Sequence, residues 1–221
     1  MGDSNQGLTP AKFHASDGVA DWRVTGTGPQ AVFRATSLDQ AATLVADVVS
    51  AATEFGLRPD IDLRPEGVVV RLPYGEDWAI PASAPAFAAA VSQAAARRGL
   101  TPDPAAVQAI GIYVAQHSGV DARPFFLAAL GYDAVGEGDA ADPLRCGPQL
   151  AFNPITGNVA GRGRTHFDVF VPADQARARV DAAIAAGGRL VDDSHAPDWW
   201  TLASPDNHGV DIASWTDSYD A

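Results

Sequence analysis

The stretch THFDVFVPADQARARVDAAIAAGGRLVDD, residues 165–193, predicts a strand, a helix and another strand in succession. Residues 165–172 are typical of a strand, residues 174–188 have the composition and spacing of a helix, and RLVDD is a second strand. The strands WWTLAS and GVDIASW follow it. Together these elements make one βαβββ unit.

A similar unit precedes this one in the chain. It begins with the strand AIGIYVA (109–115), continues with the helix VDARPFFLAALG (120–131) and includes the strand PQLAFN (148–153). The acidic, glycine-rich segment GEGDAAD (136–142) is predicted to be an exposed loop. Such an internal duplication predicts two units that pack around a shared core or cleft.

The first half of the chain has a different order of elements. It predicts a strand over residues 31–37, a helix from Leu38 up to Gly56, a strand over 67–73 and an alanine-rich helix over 83–98. Residues 101–106, TPDPAA, contain two prolines and predict a linker. The sequence therefore indicates an α+β protein with two domains.

Composition limits the kinds of partner. The formal net charge of −12 and the pI near 4.6 oppose binding to nucleic acid or to anionic membranes, because both require clustered cations. Cys146 has no second cysteine with which to form an internal disulfide, and the N-terminus lacks the order of a signal peptide. We expect a cytoplasmic protein whose partner is a small molecule.

Residues 8–100 resemble pterin-4a-carbinolamine dehydratase, which implies a small antiparallel sheet covered by helices. The resemblance rests on DWRV around Trp22, the FRATS strand, the helix after it and the segment RPDIDLRPEGVVVRL. The paired histidines of that family are replaced here, because the motif is Leu57-Arg58-Pro59-Asp60. Tyr74-Gly75 stands where the family has a third histidine.

Loss of these histidines removes the proton carriers of the dehydratase reaction. Dehydration needs a group that protonates the leaving hydroxyl and one that takes a proton from nitrogen, and imidazole does both near neutral pH. Leucine cannot ionise, and arginine stays protonated. A substitute set could come from other polar residues, but such residues usually form a solvated surface network; they are Arg58, Asp60, Tyr74, Glu76 and Asp77. We expect a scaffold or a dimerisation module, and the latter would make a homodimer.

Residues 107–216 resemble the glyoxalase/bleomycin-resistance/extradiol-dioxygenase superfamily, known as vicinal oxygen chelate. The segments RPFFLAALGY, RGRTHFDVFVP, AAGGRLVDD and WWTLASPDNHGVDIASW carry the resemblance, which implies paired units curled into a cup. Metal-dependent members place ligands where this sequence has Gly111, Gln149, His166 and Gly209. One imidazole and one amide are too few for a catalytic divalent metal, which typically has three protein ligands. We therefore expect no metal and no cofactor.

The strands of this predicted cup still carry polar side chains. Strand alternation puts His166 and Asp168 on one face, and Asp211 on the same face as Gly209. We predict these three residues to be catalytic, because an imidazole with carboxylates suffices for general acid–base chemistry. The alternative is that His166 and Asp168 are structural residues whose hydrogen bonds are satisfied by neighbours.

Further residues are predicted to bind a ligand. Trp199 and Trp200, with Trp215, could form an aromatic wall, although adjacent strand residues face opposite ways and one of the pair would then be core. Arg164 could bind a ligand carboxylate, whereas loop arginines of acidic proteins usually form surface ion pairs. The predicted binding residues are Tyr113, Gln149, Asn153, Arg164, Trp199 and Trp200.

The resulting functional hypothesis is a metal-independent enzyme of specialised, natural-product metabolism. It would cyclise, dehydrate or rearrange a small molecule in the cup, as a lyase or isomerase. The alternative is a binding protein that sequesters a ligand, and acidic composition suits a cationic one. Residual activity as a 4a-hydroxytetrahydrobiopterin dehydratase is a third hypothesis.

Overall fold

The computed structural model describes residues 7–74, 79–116, 121, 123–155, 165–203 and 209–217. The chain divides into two compact units. The first consists of Met1–Val107 together with Trp215–Ala221, and the second of Gln108–Ser214. The first unit is therefore built from both ends of the chain.

The first unit is an antiparallel sheet with helices, as the sequence predicts. Its strands lie in the order β1 (Trp22–Thr25), β2 (Gly28–Arg34), β4 (Gly67–Arg71) and β3 (Asp60–Arg64), and β5 (Thr101–Pro102) pairs with the end of β2. Residues 101–106, predicted to be a linker, extend this sheet through β5 and continue into a 3-10 turn at Pro104–Ala106. In chain order the elements are α1 (Pro10–His14), β1 (Trp22–Thr25), β2 (Gly28–Arg34), α2 (Leu38–Ala42), α3 (Val45–Phe55), β3 (Asp60–Arg64), β4 (Gly67–Arg71), α4 (Ala84–Arg97) and β5 (Thr101–Pro102).

The helix α4 packs its apolar side into the core of the first unit. Phe87, Val91 and Ala94 are buried, as their spacing predicts. Trp22 is fully buried against this helix, with its ring edge-on to Phe87, and its indole Nε1 donates a hydrogen bond to the carbonyl of Ala88 at 3.1 Å. Each large side chain buried in this way contributes about 1.5–3 kcal/mol to stability.

The helix predicted from Leu38 to Gly56 is interrupted between α2 and α3. Thr43 Oγ1 donates a hydrogen bond to the carbonyl of Gln40 at 2.7 Å, and the amide of Leu44 bonds to the carbonyl of Ala41 at 3.2 Å. The three-residue spacing of these bonds tightens the turn, and a threonine hydroxyl competes with the regular helical bonds. The prediction of one continuous helix was wrong for this reason.

The second unit contains the two predicted βαβββ repeats. The first repeat is β6 (Ala109–Gln116), α5 (Arg123–Leu130), β7 (Asp133–Val135), β8 (Asp139–Ala141) and β9 (Gln149–Pro154). The second repeat is β10 (Thr165–Phe170), α6 (Ala173–Ala185), β11 (Arg189–Asp192), β12 (Trp199–Ala203) and β13 (Gly209–Ala213). The repeats join in one mixed sheet of order β11-β12-β13-β10-β6-β9-β8-β7.

The segment 136–142 was predicted to be an exposed loop, and this prediction was wrong for its second part. Asp139–Ala141 forms β8, which pairs with both β7 and β9, and Ala140 is fully buried. The strand is short and its side chains are small and acidic, so its composition does not indicate a strand. Pairing on both sides holds it in the sheet.

The helices α5 and α6 contribute to two apolar clusters of the second unit. Val180 of α6 packs with Trp200, Leu202 and Ile212, and residues of α5 pack in the same way with β6 and β9. Because strand side chains alternate, the positions between these apolar residues point to the other side of the sheet. None of the described helices of the chain is long and apolar enough to cross a membrane.

The C-terminal segment completes the first unit. Trp215 packs against the core of the first unit, with its ring centroid 6.3 Å from that of Tyr74. Asp217 accepts hydrogen bonds from Thr9 Oγ1 and from the amide of Ala11, both at 2.8 Å, at the N-terminus of α1. The sequence-based prediction placed Trp215 with Trp199 in an aromatic wall. In the structure Trp215 belongs to the first unit, because it packs against that unit's core beside Tyr74.

Candidate functional site

One row of directly paired residues crosses four strands of the second sheet. Asp211 on β13 pairs with Asp168 on β10, Asp168 with Gly111 on β6, and Gly111 with Gln149 on β9. Directly paired residues of neighbouring strands point to the same side of a sheet. We name this side of the sheet, which carries Asp168 and the residues that alternate with the apolar clusters, the polar face.

His166 lies beside two carboxylates on the polar face. Its Nε2 is 3.2 Å from Asp168 Oδ1 and 3.5 Å from Asp211 Oδ2. The His166 side chain is 34% exposed, whereas those of Asp168 and Asp211 are 6% and 17% exposed. The imidazole is thus reachable from solvent and the two carboxylates are mostly covered. Two carboxylates at this distance stabilise a positive charge on the imidazole.

One oxygen of the Asp168 carboxylate is not satisfied by a hydrogen bond. This Oδ1 is buried and accepts no hydrogen bond within the described part of the chain, and its 3.2 Å contact with His166 Nε2 is an ion pair only when the imidazole is protonated. A buried carboxylate oxygen without a donor is costly, so such atoms are uncommon in purely structural positions. This observation favours a site that receives a donor or a cation from a bound molecule.

Tyr113 holds the ring of His166 from one side. The two residues pair across β6 and β10, and their rings stack with centroids 5.2 Å apart and an interplanar angle of 29°. This contact restricts tilting of the imidazole ring beside the carboxylates. Tyr113 was predicted to bind a ligand, and in the structure its ring contacts the catalytic candidate itself.

Gln149 contacts a residue that the sequence analysis missed. Its Nε2 donates a hydrogen bond to Asp139 Oδ2 at 3.2 Å across β8 and β9. Burial raises the pKa of Asp139, an effect that the hydrogen bond from Gln149 and the charge of Arg123 oppose. No sequence signal identified Asp139, because it lies in a segment with the composition of a loop.

The remaining predicted binding residues have different positions. Trp199 is partly buried and stacks on His195, with ring centroids 4.0 Å apart, and Asn153 is exposed near the end of β9. The structure corrects the prediction for Trp200, which is 7% exposed and belongs to the apolar cluster with α6. Arg164 lies outside the described residues.

His166, Asp168 and Asp211 could also hold a metal ion. Their candidate ligand atoms lie within 4.8 Å of one another, and three protein ligands are the usual number for a catalytic divalent metal. The donor set of one imidazole and two carboxylates, with the unsatisfied Asp168 oxygen, fits a divalent cation. The prediction of a metal-free site rested on the one imidazole and one amide at the family's ligand positions and left out these two carboxylates, so metal-free chemistry stays a prediction.

Two of the polar residues considered for the first unit, Asp60 and Tyr74, have structural partners. Asp60 forms an ion pair with Arg71 at 3.3 Å across β3 and β4, and the Tyr74 hydroxyl donates a hydrogen bond to the carbonyl of Thr25 at 3.2 Å. Leu57 packs against the core. Glu76 and Asp77 lie outside the described residues. These contacts favour a structural role for Asp60 and Tyr74.

Comparison with known proteins finds similarity within the second unit. Residues 112–213 match the family model of the glyoxalase-like domain, a segment that runs from β6 to the end of β13. A solved structure of a glyoxalase/bleomycin resistance protein/dioxygenase superfamily member from Vibrio splendidus 12B01 is similar, with 14% identity, a TM-score of 0.35 and coverage of 49% of this chain and 99% of that chain. No curated protein matches the sequence. The dehydratase resemblance of the first half stays a prediction.

Proposed function

We propose that the glyoxalase-like domain of this chain is a small-molecule enzyme that transfers protons through His166 on its polar face. The observation that carries the proposal is the position of His166 Nε2, within 3.5 Å of carboxylate oxygens of both Asp168 and Asp211. A partly exposed imidazole can exchange protons with a ligand and with water near neutral pH.

The imidazole, the two carboxylates and the neighbouring Tyr113 have different roles in this proposal. His166 takes a proton from the substrate and returns it at another atom or to a leaving group. Asp168 and Asp211 stabilise the imidazolium that forms between these two steps. Tyr113 is a positioning residue, because it acts through its stacking contact with the imidazole. A reaction of this kind is a cyclisation, dehydration or rearrangement, in which the substrate needs no external oxidant.

The same three residues support a second candidate, a metal-assisted reaction. His166, Asp168 and Asp211 would hold a divalent cation, which when bound would polarise an oxygen of the substrate. In that case His166 is a ligand and not the proton carrier, because a metal-bound imidazole nitrogen cannot exchange a proton. The first candidate therefore predicts that a chelator leaves the activity unchanged, and the second predicts that a chelator abolishes it.

The first unit is proposed to be a scaffold without catalytic activity. The support is that Asp60 and Tyr74 have structural partners within the unit, and that the dehydratase histidines are replaced. A direct assay with a pterin carbinolamine tests this part of the proposal. Turnover above the uncatalysed rate would contradict it.

The experiment for the main proposal compares the wild-type protein with His166→Ala. Both proteins are incubated with a metabolite library, with and without EDTA, and the mixtures are analysed by mass spectrometry. A product formed by the wild type in the presence of EDTA, and absent with His166→Ala, supports proton transfer. Tight binding of a compound that is recovered unchanged would indicate sequestration. His14→Ala is the matched control, because His14 is an exposed histidine of the first unit.

A further inference from the structure

The polar face carries a second polar pair, Asp139 and Gln149. We infer that this pair binds a protonated primary amine on the far end of the molecule whose reacting end meets His166. The assignment of the reacting end of the ligand to His166, the first anchor, rests on the proposed function. The Asp139–Gln149 pair, the second anchor, rests on contacts of its own, and it narrows the ligand to small organic amines.

Strand pairing places the pair on the same face as His166. Asp139 pairs with Ala151, Ala151 with Tyr113, and Tyr113 with His166, so that Asp139 and His166 lie in one row. Gln149 lies in the neighbouring row, which contains Asp168. Neighbouring strands lie about 4.8 Å apart, so Gln149, two strands from His166, and Asp139, three strands from it, are roughly 10–14 Å from His166 across the sheet. This distance is the length of a small molecule.

The Asp139 carboxylate is influenced by the charge of Arg123 but is not in an ion pair with any described residue. It is partly buried. Arg123, whose charge does reach Asp139, donates its Nη1 to the carbonyl of Gly136 at 3.1 Å. A bound ammonium group would form an ion pair with Asp139, and it could also donate to the Gln149 side-chain oxygen, since the Nε2 of Gln149 already faces Asp139.

An independent observation at the other anchor points to a ligand as well. Asp168 is 4% exposed, lies on the same face, and its Oδ1 has no hydrogen bond within the described part of the chain. Each of the two anchors therefore presents a carboxylate whose electrostatic or hydrogen-bond needs are incompletely met. Complementary ligands carry positive charge or donor groups, and an anionic group at either anchor would be repelled by the carboxylates.

Two aromatic rings lie close to Gly111 near the middle of this face. This glycine lies between Asp168 and Gln149 in the row, and a Cβ at this position would be 3.4 Å from Tyr113 Cε2 and 3.5 Å from Phe170 Cε2. The face between the anchors thus presents the rings of Tyr113 and Phe170 beside a residue without a side chain. An apolar chain or a flat ring fits between them better than a polar linker.

The test uses α,ω-diaminoalkanes from 1,4-diaminobutane to 1,10-diaminodecane and the n-alkylamines of the same lengths. Binding to the full chain is measured by calorimetry. We expect one diamine length to bind best and to exceed its monoamine. Asp139→Asn should lower the affinity for that diamine about tenfold or more, the usual loss when a charge-assisted contact is removed. The amide oxygen that this substitution introduces can still accept the Gln149 hydrogen bond, so folding should be retained.

Asp133→Asn is the matched control, because Asp133 is an exposed aspartate on β7 of the same unit. This variant should bind the diamines as the wild type does. Equal affinities for Asp139→Asn and the wild type, or no binding of any probe to the wild type, would overturn the inference. Lost diamine binding in Asp139→Asn with full turnover in His166→Ala would instead contradict only the proposed function.

Discussion

His166 Nε2 lies 3.2 Å from Asp168 Oδ1, and the two residues are neighbours on the same face of one strand. Asp211 approaches the same nitrogen at 3.5 Å from the parallel strand β13. One imidazole nitrogen is therefore shared by carboxylates from two strands. This arrangement concentrates negative charge around a titratable group that solvent can still reach, and it is the basis of the first two predictions.

His166→Ala should lower turnover by about 100-fold or more, the usual contribution of one general acid–base group. The substitution removes the proton carrier and leaves the strand intact. Turnover is measured on the product identified by mass spectrometry, and circular dichroism checks the fold. His14→Ala should retain full activity. A His166→Ala protein as active as the wild type would show that the imidazole is not the proton carrier.

Chelation should leave turnover unchanged. The proposed reaction uses protons moved by His166, so dialysis against EDTA removes nothing that it needs. The measurement is the initial rate before and after dialysis, with bound metal determined by mass spectrometry in the same samples. Lost activity that returns with a single divalent metal would favour the metal-assisted candidate held by His166, Asp168 and Asp211.

Asp139→Asn should stabilise the protein at neutral pH. Burial raises the pKa of Asp139 above the ordinary value of 3.8, so the folded protein favours the protonated carboxyl. Its contribution to stability is complete below the unfolded pKa and is lost as pH rises through the folded pKa. The melting temperature of the variant should therefore match the wild type at low pH and exceed it at pH 7. A variant that melts below the wild type at pH 7 would contradict this prediction.

Asp142→Asn should have the opposite dependence on pH. Backbone hydrogen bonds from the amides of Leu144, Gly147 and Cys146 lower the pKa of Asp142, so the charged carboxylate stabilises the turn. That contribution is present above pH 3.8 and is lost as pH falls through the folded pKa. The variant should melt below the wild type at pH 7, and the difference should shrink in acid. An unchanged difference across this range would count against the assignment.

Asp60→Asn should leave turnover within about twofold of the wild type. Asp60 pairs with Arg71 on the neighbouring strand, and loss of a partly exposed ion pair costs about 1 kcal/mol or less. The rate is measured with the same substrate as for His166→Ala. An inactive Asp60→Asn protein that still folds would move the active site to the first unit and contradict the proposed scaffold role.

Local patterns in the sequence determined much of the fold. Apolar spacing identified α4 and α6, and the glycines at 56 and 99 follow α3 and α4 in the left-handed conformation, with φ of 66° and 73°. Strand alternation likewise put His166 and Asp168 on one face. These features depend on residues near one another in the chain, so their physical cause is visible in the sequence.

Tertiary structure decided which residues meet. Asp211 reaches His166 because β13 pairs in parallel with β10, and Asp139 reaches Gln149 because a strand with the composition of a loop is held between two others. Alternation showed that Trp199 and Trp200 face opposite ways, and packing against α6 selected Trp200 for the core. Strand order and register are set by burial across the whole sheet, and no local pattern encodes them.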